Sequence, residues 1–88
     1  MSATKDQVQI AVHFYSFFKD YTGCSSVIQV LPVESTLAEL LQLIFIRFPK
    51  LEPMKKSMLI AVGVEYQDRN YVLHPGDEVS LFPPVQGG

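Results

Sequence analysis

The sequence is poor in the residues that build disulfide frameworks, metal centres and nucleic-acid surfaces. It has a single cysteine, Cys24, among 88 residues, which excludes a disulfide within the chain and favours a cytoplasmic protein. The two histidines, His13 and His74, are far apart, and no Cys, His or carboxylate spacing is typical of a metal site. The seven Lys and Arg residues are scattered through a chain of net charge −2, so we expect no nucleic-acid partner.

Long hydrophobic runs and phosphate-binding glycine loops are also missing. No segment approaches the roughly 20 continuous apolar residues that a membrane span needs. The polar residues 1–7 lack the apolar centre of a secretory signal. Neither GxGxxG nor GxxxxGK(S/T) occurs, so we expect this chain to bind no nucleotide or other cofactor by itself. What is present is a chain with 48% hydrophobic residues, which suits one small globular domain.

The first third of the chain has the pattern of two strands. Apolar and other residues alternate over 8–14, which predicts a half-buried strand. Residues 19–23 predict a turn, and the β-rich run 26–31 predicts a second strand that Pro32 ends. The two strands are expected to pair as a hairpin with a long connection.

One long amphipathic helix follows. Thr36 and Glu39 have the spacing of a capping box, in which each satisfies a backbone N–H of the other at the start of a helix. Apolar residues then recur at helical spacing as far as Phe48, and Pro49 ends the helix. Residues 51–57 are predicted to be a linker with at most a short helical turn.

The rest of the chain predicts strands separated by turns. The continuous apolar run 58–64 is typical of a buried strand, and residues 71–73 and 78–82 predict two more, with turns at 67–70 and 74–77. The order β-β-α-β-β-β indicates an α+β fold, in which one helix covers one face of the sheet. The other face must meet solvent or a partner.

The last strand is followed by a segment that we predict to be an extended functional tail, distinct from a domain spanning 1–82. The tail is Pro83, Pro84, Val85, Gln86, Gly87 and Gly88. Two prolines cannot donate ladder hydrogen bonds and keep the backbone extended. Two glycines without a Cβ fit a narrow channel. Fully extended, the tail reaches roughly 20 Å from the domain.

The chemistry available to such a tail is that of its carboxylate. A carboxylate is an anion at neutral pH and a poor acyl donor, so it needs activation by a partner. An ATP-dependent enzyme can convert it to an acyl-adenylate, from which sulfide displaces AMP to leave a thiocarboxylate. Two terminal glycines alone favour an inert end, and it is the strand and the two prolines before them that strengthen the functional interpretation.

The stretch LHPGDEVSLFPPVQGG, residues 73–88, resembles the C-terminal signature of the small subunit of molybdopterin synthase. The resemblance extends more weakly over most of the chain, through Phe14, Asp20 and Gly23 and through the helix. Members of that family often have Arg where this chain has Lys19, and Asn where it has Gly63. The family has a ubiquitin-like β-grasp fold with a mixed sheet and one main helix.

The resemblance implies a sulfur carrier that is not an enzyme on its own. In the family, a ubiquitin-activating-type enzyme uses ATP to adenylate the terminal glycine, here Gly88, and a sulfur donor converts it to a thiocarboxylate. The tail then enters the large catalytic subunit, in a heterotetramer. There it gives its sulfur to cyclic pyranopterin monophosphate, which forms the dithiolene of molybdopterin.

A docking patch is predicted beside the tail. Phe82 and Ser80 lie out of phase with the core residues of the last strand, so they belong on its outer face. If the last strand lies beside the first, as in β-grasp folds, Ala11 and His13 are their neighbours. An exposed Phe82 beside small residues is a plausible anchor for a partner.

Other functions remain open at this stage. The chain can be a thiocarboxylate carrier for thiamine, cysteine or tRNA thiolation, or a ubiquitin-like modifier that joins lysines through Gly88. It can also be a plain interaction module with an inert tail. Cys24 is expected to be an ordinary free cysteine rather than a sulfur-relay thiol.

Overall fold

The computed structural model describes residues 6–84. Two helices, one 3₁₀ helix and five strands follow one another along this range. In chain order they are β1 (Gln7–Phe14), α1 (Phe18–Thr22), β2 (Ser26–Pro32), α2 (Leu37–Arg47), the 3₁₀ helix (Pro49–Met54), β3 (Leu59–Val62), β4 (Glu65–Tyr66) and β5 (Glu78–Phe82). No helix in this part of the chain is long and apolar enough to cross a membrane.

The five strands form one mixed sheet in the order β2-β1-β5-β3-β4. Its central pair, β1 and β5, is parallel, while the other neighbouring strands are antiparallel. The predicted hairpin of β1 and β2 and the predicted contact between the first and last strands are both confirmed. Since β1 and β5 run in the same direction, their carboxyl ends lie at the same edge of the sheet.

The core lies between the sheet and α2. Alternate residues of β1 and β5 face it, and one side of α2 covers them, as the periodicities of the two element types require. The buried side chains of these three elements are no more than 3% exposed and are Val8, Ile10, Val12, Phe14, Leu37, Leu40, Leu41, Ile44, Val79 and Leu81. The predicted α+β fold, with a mixed sheet and one main helix on one face, is confirmed.

The capping box at the start of α2 is also confirmed. The Thr36 hydroxyl accepts the Glu39 N–H at 3.3 Å, and the Thr36 N–H donates to the Glu39 carboxylate at 2.9 Å. At the other end, Pro49 stops α2 and begins the 3₁₀ helix. The segment predicted as a linker is therefore partly helical, and its Leu51 is fully buried.

Residues 19–23 do not form the predicted turn. Residues 19–22 belong to the short helix α1, whose Phe18 is fully buried. Gly23 ends this helix with φ of 76°, a left-handed conformation that favours glycine, and its N–H donates to the Lys19 carbonyl at 2.8 Å. The glycine that indicated a turn is the C-terminal cap of a helix held in place by Phe18.

The apolar run 58–64 is a strand only at Leu59–Val62. Gly63, with φ of 60°, makes a tight turn that pairs Val62 with Glu65, and Val64 at the tip of this turn is 99% exposed. The run is apolar throughout, but a backbone with positive φ cannot continue a strand.

The fourth strand is β4, at Glu65–Tyr66, and the prediction of a strand at 71–73 is wrong. Val72 makes only an isolated bridge with Thr36, and the Leu73 N–H donates to the Ser35 carbonyl at 2.8 Å. The Gly63 turn returns the chain onto β3 at once. The later segment therefore crosses to the start of α2 instead of joining the sheet.

The capping box gives a direct test of this fold. Thr36→Ala removes the side-chain acceptor for the Glu39 N–H, so we expect the free energy of unfolding to fall by about 1 kcal/mol. Denaturant unfolding measures this change. Thr36→Ser keeps the acceptor and is expected to retain most of the stability, and equal losses in the two variants would contradict a role for the cap.

Candidate functional site

The exit of the predicted tail lies at the edge where β1 and β5 both end. β5 ends at Phe82, and the half-buried Pro83 and Pro84 follow it. The N–H of Tyr15, the residue after β1, donates to the Leu81 carbonyl at 3.2 Å. The tail therefore leaves the sheet beside the junction of β1 and α1. The four remaining residues of the predicted site, Val85, Gln86, Gly87 and Gly88, lie outside the described residues.

The four residues of the predicted docking patch share the face of the sheet opposite α2. His13 is directly opposite Ser80 in the parallel pair, and Ala11 is opposite Glu78. Directly paired residues point to the same face, and residues two apart on a strand do too, so Phe82 joins them. Val79 and Leu81, between them on β5, are fully buried on the other face. The structure thus brings together Ala11, His13, Ser80 and Phe82.

Phe82 is not the lone exposed aromatic that the sequence predicted. It is half-buried, because its ring stacks on that of Tyr15 with centroids 4.7 Å apart and planes inclined by 14°. Tyr15 itself is 41% exposed. The two rings form an aromatic pair at the base of the tail, in the offset geometry that stabilises aromatic contacts.

Tyr15 is the residue of this site that the sequence reasoning missed. It follows the last alternating residue of β1, where the strand pattern stops. The pairing register of β1 and β5 nevertheless indicates that Tyr15 lies beside Phe82. Phe14 pairs with Leu81, so the next residues along the two parallel strands, Tyr15 and Phe82, are neighbours. Applying the expected β1–β5 pairing one residue further would have found it.

The polar part of the outer face is an ion pair or hydrogen bond between strands. His13 Nε2 lies 3.1 Å from a carboxylate oxygen of Glu78, and the Glu78 side chain is largely exposed. This contact gives His13 a partner inside the chain. It also places the Glu78 carboxylate beside the predicted docking patch.

A hydrogen-bonded turn fixes the start of β5. The Asp77 carboxylate accepts the His74 N–H at 2.8 Å and the Tyr71 hydroxyl at 2.9 Å. Partial burial of Tyr71 raises its pKa above the ordinary value of 10.0, and the hydrogen bond to Asp77 and the charges of Asp77 and Glu65 act in the same direction. The hydroxyl therefore stays a donor across the neutral range and holds the turn.

Each histidine lies near a carboxylate: His13 near Glu78 at 3.1 Å and His74 near Asp77 at 3.6 Å. Within residues 6–84, no three side chains of His, Cys, Asp or Glu come together in a way that could hold a metal ion. Cys24 is half-buried and packs against the edge of the core, and its backbone carbonyl accepts the Thr22 hydroxyl at 2.8 Å. Its surroundings are those of a packing residue.

Solved structures show the class of protein that this fold defines. A putative molybdopterin converting factor subunit 1 from Pyrococcus furiosus superimposes with a TM-score of 0.81 at 26% identity, over 89% of this chain and 99% of that one. The complex of subunits 1 and 2 of molybdopterin-converting factor from Helicobacter pylori contains the same fold, with a TM-score of 0.64 at 24% identity, over 92% of this chain and 100% of that one. The fold is the ubiquitin-like β-grasp of the sulfur carriers.

Sequence comparison identifies the family. The model of the ThiS family matches residues 12–88. The human molybdopterin synthase sulfur carrier subunit is 32% identical over 83 residues, which cover 91% of this chain and 94% of the human protein. The chain therefore belongs to the ThiS family, and the molybdopterin synthase sulfur carrier subunits are among its relatives.

One departure from the family pattern has a structural explanation. Gly63, where the family resemblance led us to expect Asn, adopts the left-handed conformation with φ of 60°. Asn is the residue after glycine that tolerates this region best, because its short polar side chain can bond locally. An Asn at this position would therefore also be compatible with the turn between β3 and β4.

The aromatic pair predicts an energetic coupling. Tyr15→Ala and Phe82→Ala should each reduce stability, and the double variant should lose less than the sum by about 0.5–1.5 kcal/mol, the contribution of a stacked pair. Denaturant unfolding of the four proteins measures the coupling. Tyr66→Ala on β4, an exposed aromatic three strands away from β1, should combine additively with Tyr15→Ala. A Tyr15–Phe82 coupling of zero would contradict the stack.

Proposed function

We propose that this chain is the sulfur carrier subunit of molybdopterin synthase, without catalytic activity on its own, and that the Gly88 carboxylate is its reacting group. The observation that carries the proposal is the exit of the tail from central strand β5 beside the stacked pair of Tyr15 and Phe82. The family match, which runs through residue 88, and the similarity to the human subunit support the sulfur chemistry and the molybdopterin pathway.

The reaction begins with activation of the carboxylate by a partner. A ubiquitin-activating-type enzyme joins the Gly88 carboxylate to the AMP part of ATP and releases pyrophosphate. Sulfide from a donor then attacks the carbonyl carbon, and AMP leaves with the original carboxylate oxygen. The product is a thiocarboxylate. Its sulfur passes to cyclic pyranopterin monophosphate in the large subunit, where the dithiolene of molybdopterin forms.

The residues of this chain supply access and position for these steps. Pro83 and Pro84 have no N–H, so they cannot extend the β5 ladder and they direct the backbone away from the sheet. Val85 and Gln86 come next in the sequence, and the two glycines after them have no side chain to obstruct entry into the active sites of the partners. Stabilisation of the reacting groups must come from those partners.

The outer face is the proposed binding surface for the large subunit. Partly exposed aromatic side chains beside small residues are typical anchors of protein interfaces, and Tyr15 and Phe82 share the outer face with Ala11 and Ser80. The complex of subunits 1 and 2 from H. pylori supports a large-subunit partner for a chain of this fold. We infer a heterotetramer with two copies of each subunit.

Mass spectrometry of the intact chain tests the chemistry. After incubation with ATP, the activating enzyme and a sulfide donor, the mass should rise by the difference between one sulfur and one oxygen atom. Fragmentation should place the change at Gly88. A variant without Gly87 and Gly88 is the control and should not change. No conversion, under conditions in which the human carrier is converted, would refute the proposal.

Two further readouts separate the alternative functions. Restoration of molybdopterin synthesis in a strain that lacks its own carrier subunit favours the proposed pathway over thiamine, cysteine or tRNA thiolation. Isopeptide-linked conjugates on a denaturing gel would instead indicate a protein modifier, and full activity of the variant without Gly87 and Gly88 would indicate an inert tail.

Phe82→Ala tests the docking surface. The variant should keep the fold, because the side chain lies on the outer face, and should bind the large subunit more weakly by about 2 kcal/mol, or roughly 30-fold in Kd. Isothermal titration calorimetry measures the affinity, and circular dichroism checks the fold. Tyr66→Ala removes an aromatic side chain from β4 and is the matched control. Unchanged affinity of Phe82→Ala would exclude Phe82 as an anchor.

A further inference from the structure

The free edge of β2 is unusually apolar. β2 is the terminal strand on one side of the sheet, and its seven residues contain no charged side chain. Ile28 and Val30, on the outer face, are 55% and 40% exposed. Edge strands normally carry charges, bulges or prolines that prevent pairing with another chain. In β2 the only such residue is Pro32 at its end, so other features must protect the edge.

The hydrogen-bond pattern shows which backbone groups of β2 point outward. The Phe14 N–H donates to the Ser25 carbonyl at 2.8 Å, and the Val33 N–H donates to the Asp6 carbonyl at 3.0 Å. In an antiparallel pair the direction alternates from residue to residue. The groups of residues 27, 29 and 31 therefore face β1, and those of Ser26, Ile28, Val30 and Pro32 face away from the sheet.

Three of these outward carbonyls already accept hydrogen bonds from the chain's own side chains. Arg47 Nη1 donates to the Ile28 carbonyl at 3.0 Å, Gln29 Nε2 donates to the Val30 carbonyl at 3.2 Å, and the Ser35 hydroxyl donates to the Pro32 carbonyl at 2.7 Å. Arg47 Nη1 also donates to Gln29 Oε1 at 2.8 Å. Arg47 and Gln29 are thus joined to each other and to two consecutive outward carbonyls.

We propose that Arg47 and Gln29 form a clasp that keeps the β2 edge from pairing with β2 of a second copy of this chain. Arg47 is the last residue of α2, so the clasp ties the end of the main helix to the rim of the sheet. A new strand at this edge would need the carbonyls of Ile28 and Val30 as acceptors. Each already accepts a hydrogen bond from the clasp, so a new strand would have to displace these bonds or share the carbonyls with them. This role is independent of the proposed sulfur transfer.

A second copy is the partner that β2 fits best. In an antiparallel pair with a two-fold axis at Ile28, the two Ile28 residues lie opposite each other, and Ser26 of each copy lies opposite Val30 of the other. No like charges meet in this register, since β2 has none. The exposed apolar side chains of both copies then cover one another on the outer face, as cross-strand pairs do.

Arg47→Met tests the clasp because it removes the guanidinium group but keeps an unbranched apolar side chain. The Arg47 Cζ atom lies 5.5 Å from the centroid of the Phe48 ring, so an apolar side chain can remain beside that ring. Sedimentation equilibrium of the full chain should show a monomer for the wild type. The average mass of the variant should rise with concentration towards twice the monomer mass. Lys50→Met is the control: it also replaces a basic side chain by Met, but on the neighbouring 3₁₀ helix and outside the clasp. This variant should stay monomeric.

Hydrogen exchange locates the contact. In the Arg47→Met dimer the outward amides of Ile28 and Val30 should exchange several-fold more slowly than in the wild-type monomer. Adding Ile28→Lys should restore the monomer, because two lysines would then meet at the two-fold axis. A monomeric Arg47→Met variant, growth beyond the dimer, or protection at a different strand would each overturn the proposal.

Discussion

The parallel pairing of β1 with β5 is the contact on which the rest of the structure depends. It joins the first and last strands at the centre of the sheet, so the core side chains of both strands meet under α2. It also determines where the polypeptide leaves the domain. Because the two strands end at one edge, the exit of the tail and the end of β1 are brought together, and Tyr15 contacts Phe82 there.

Successive side chains of β5 point to opposite faces of the sheet, one facing the core and the other facing outward. Val79 and Leu81 are fully buried and hold the strand in the core. Ser80 and Phe82 belong to the outer face, which α2 leaves uncovered. Folding and the proposed docking therefore depend on alternate residues of one strand. A change on the outer face can alter partner binding while the core contacts of β5 stay intact.

Local patterns in the sequence were sufficient for most of the fold, but contacts between distant segments were not. The alternation over β1 and the Thr36–Glu39 capping box are short-range signals, and both were predicted correctly. The turn at Gly63 depends on backbone conformation that an apolar run does not reveal, so β4 was missed. Tyr15 was missed because its role depends on the β1–β5 register. The resemblance to a family, and not the residue pattern, indicated sulfur chemistry for the tail.

The central position of β5 also has a mechanical consequence. A partner that holds the tail pulls along the axis of a strand flanked by β1 on one side and β3 on the other. Force in that direction is shared by the hydrogen bonds of both ladders, which must shear together, whereas a strand at the rim could be peeled away one bond at a time. Unfolding of β5 by traction on the tail would therefore require both ladders to break.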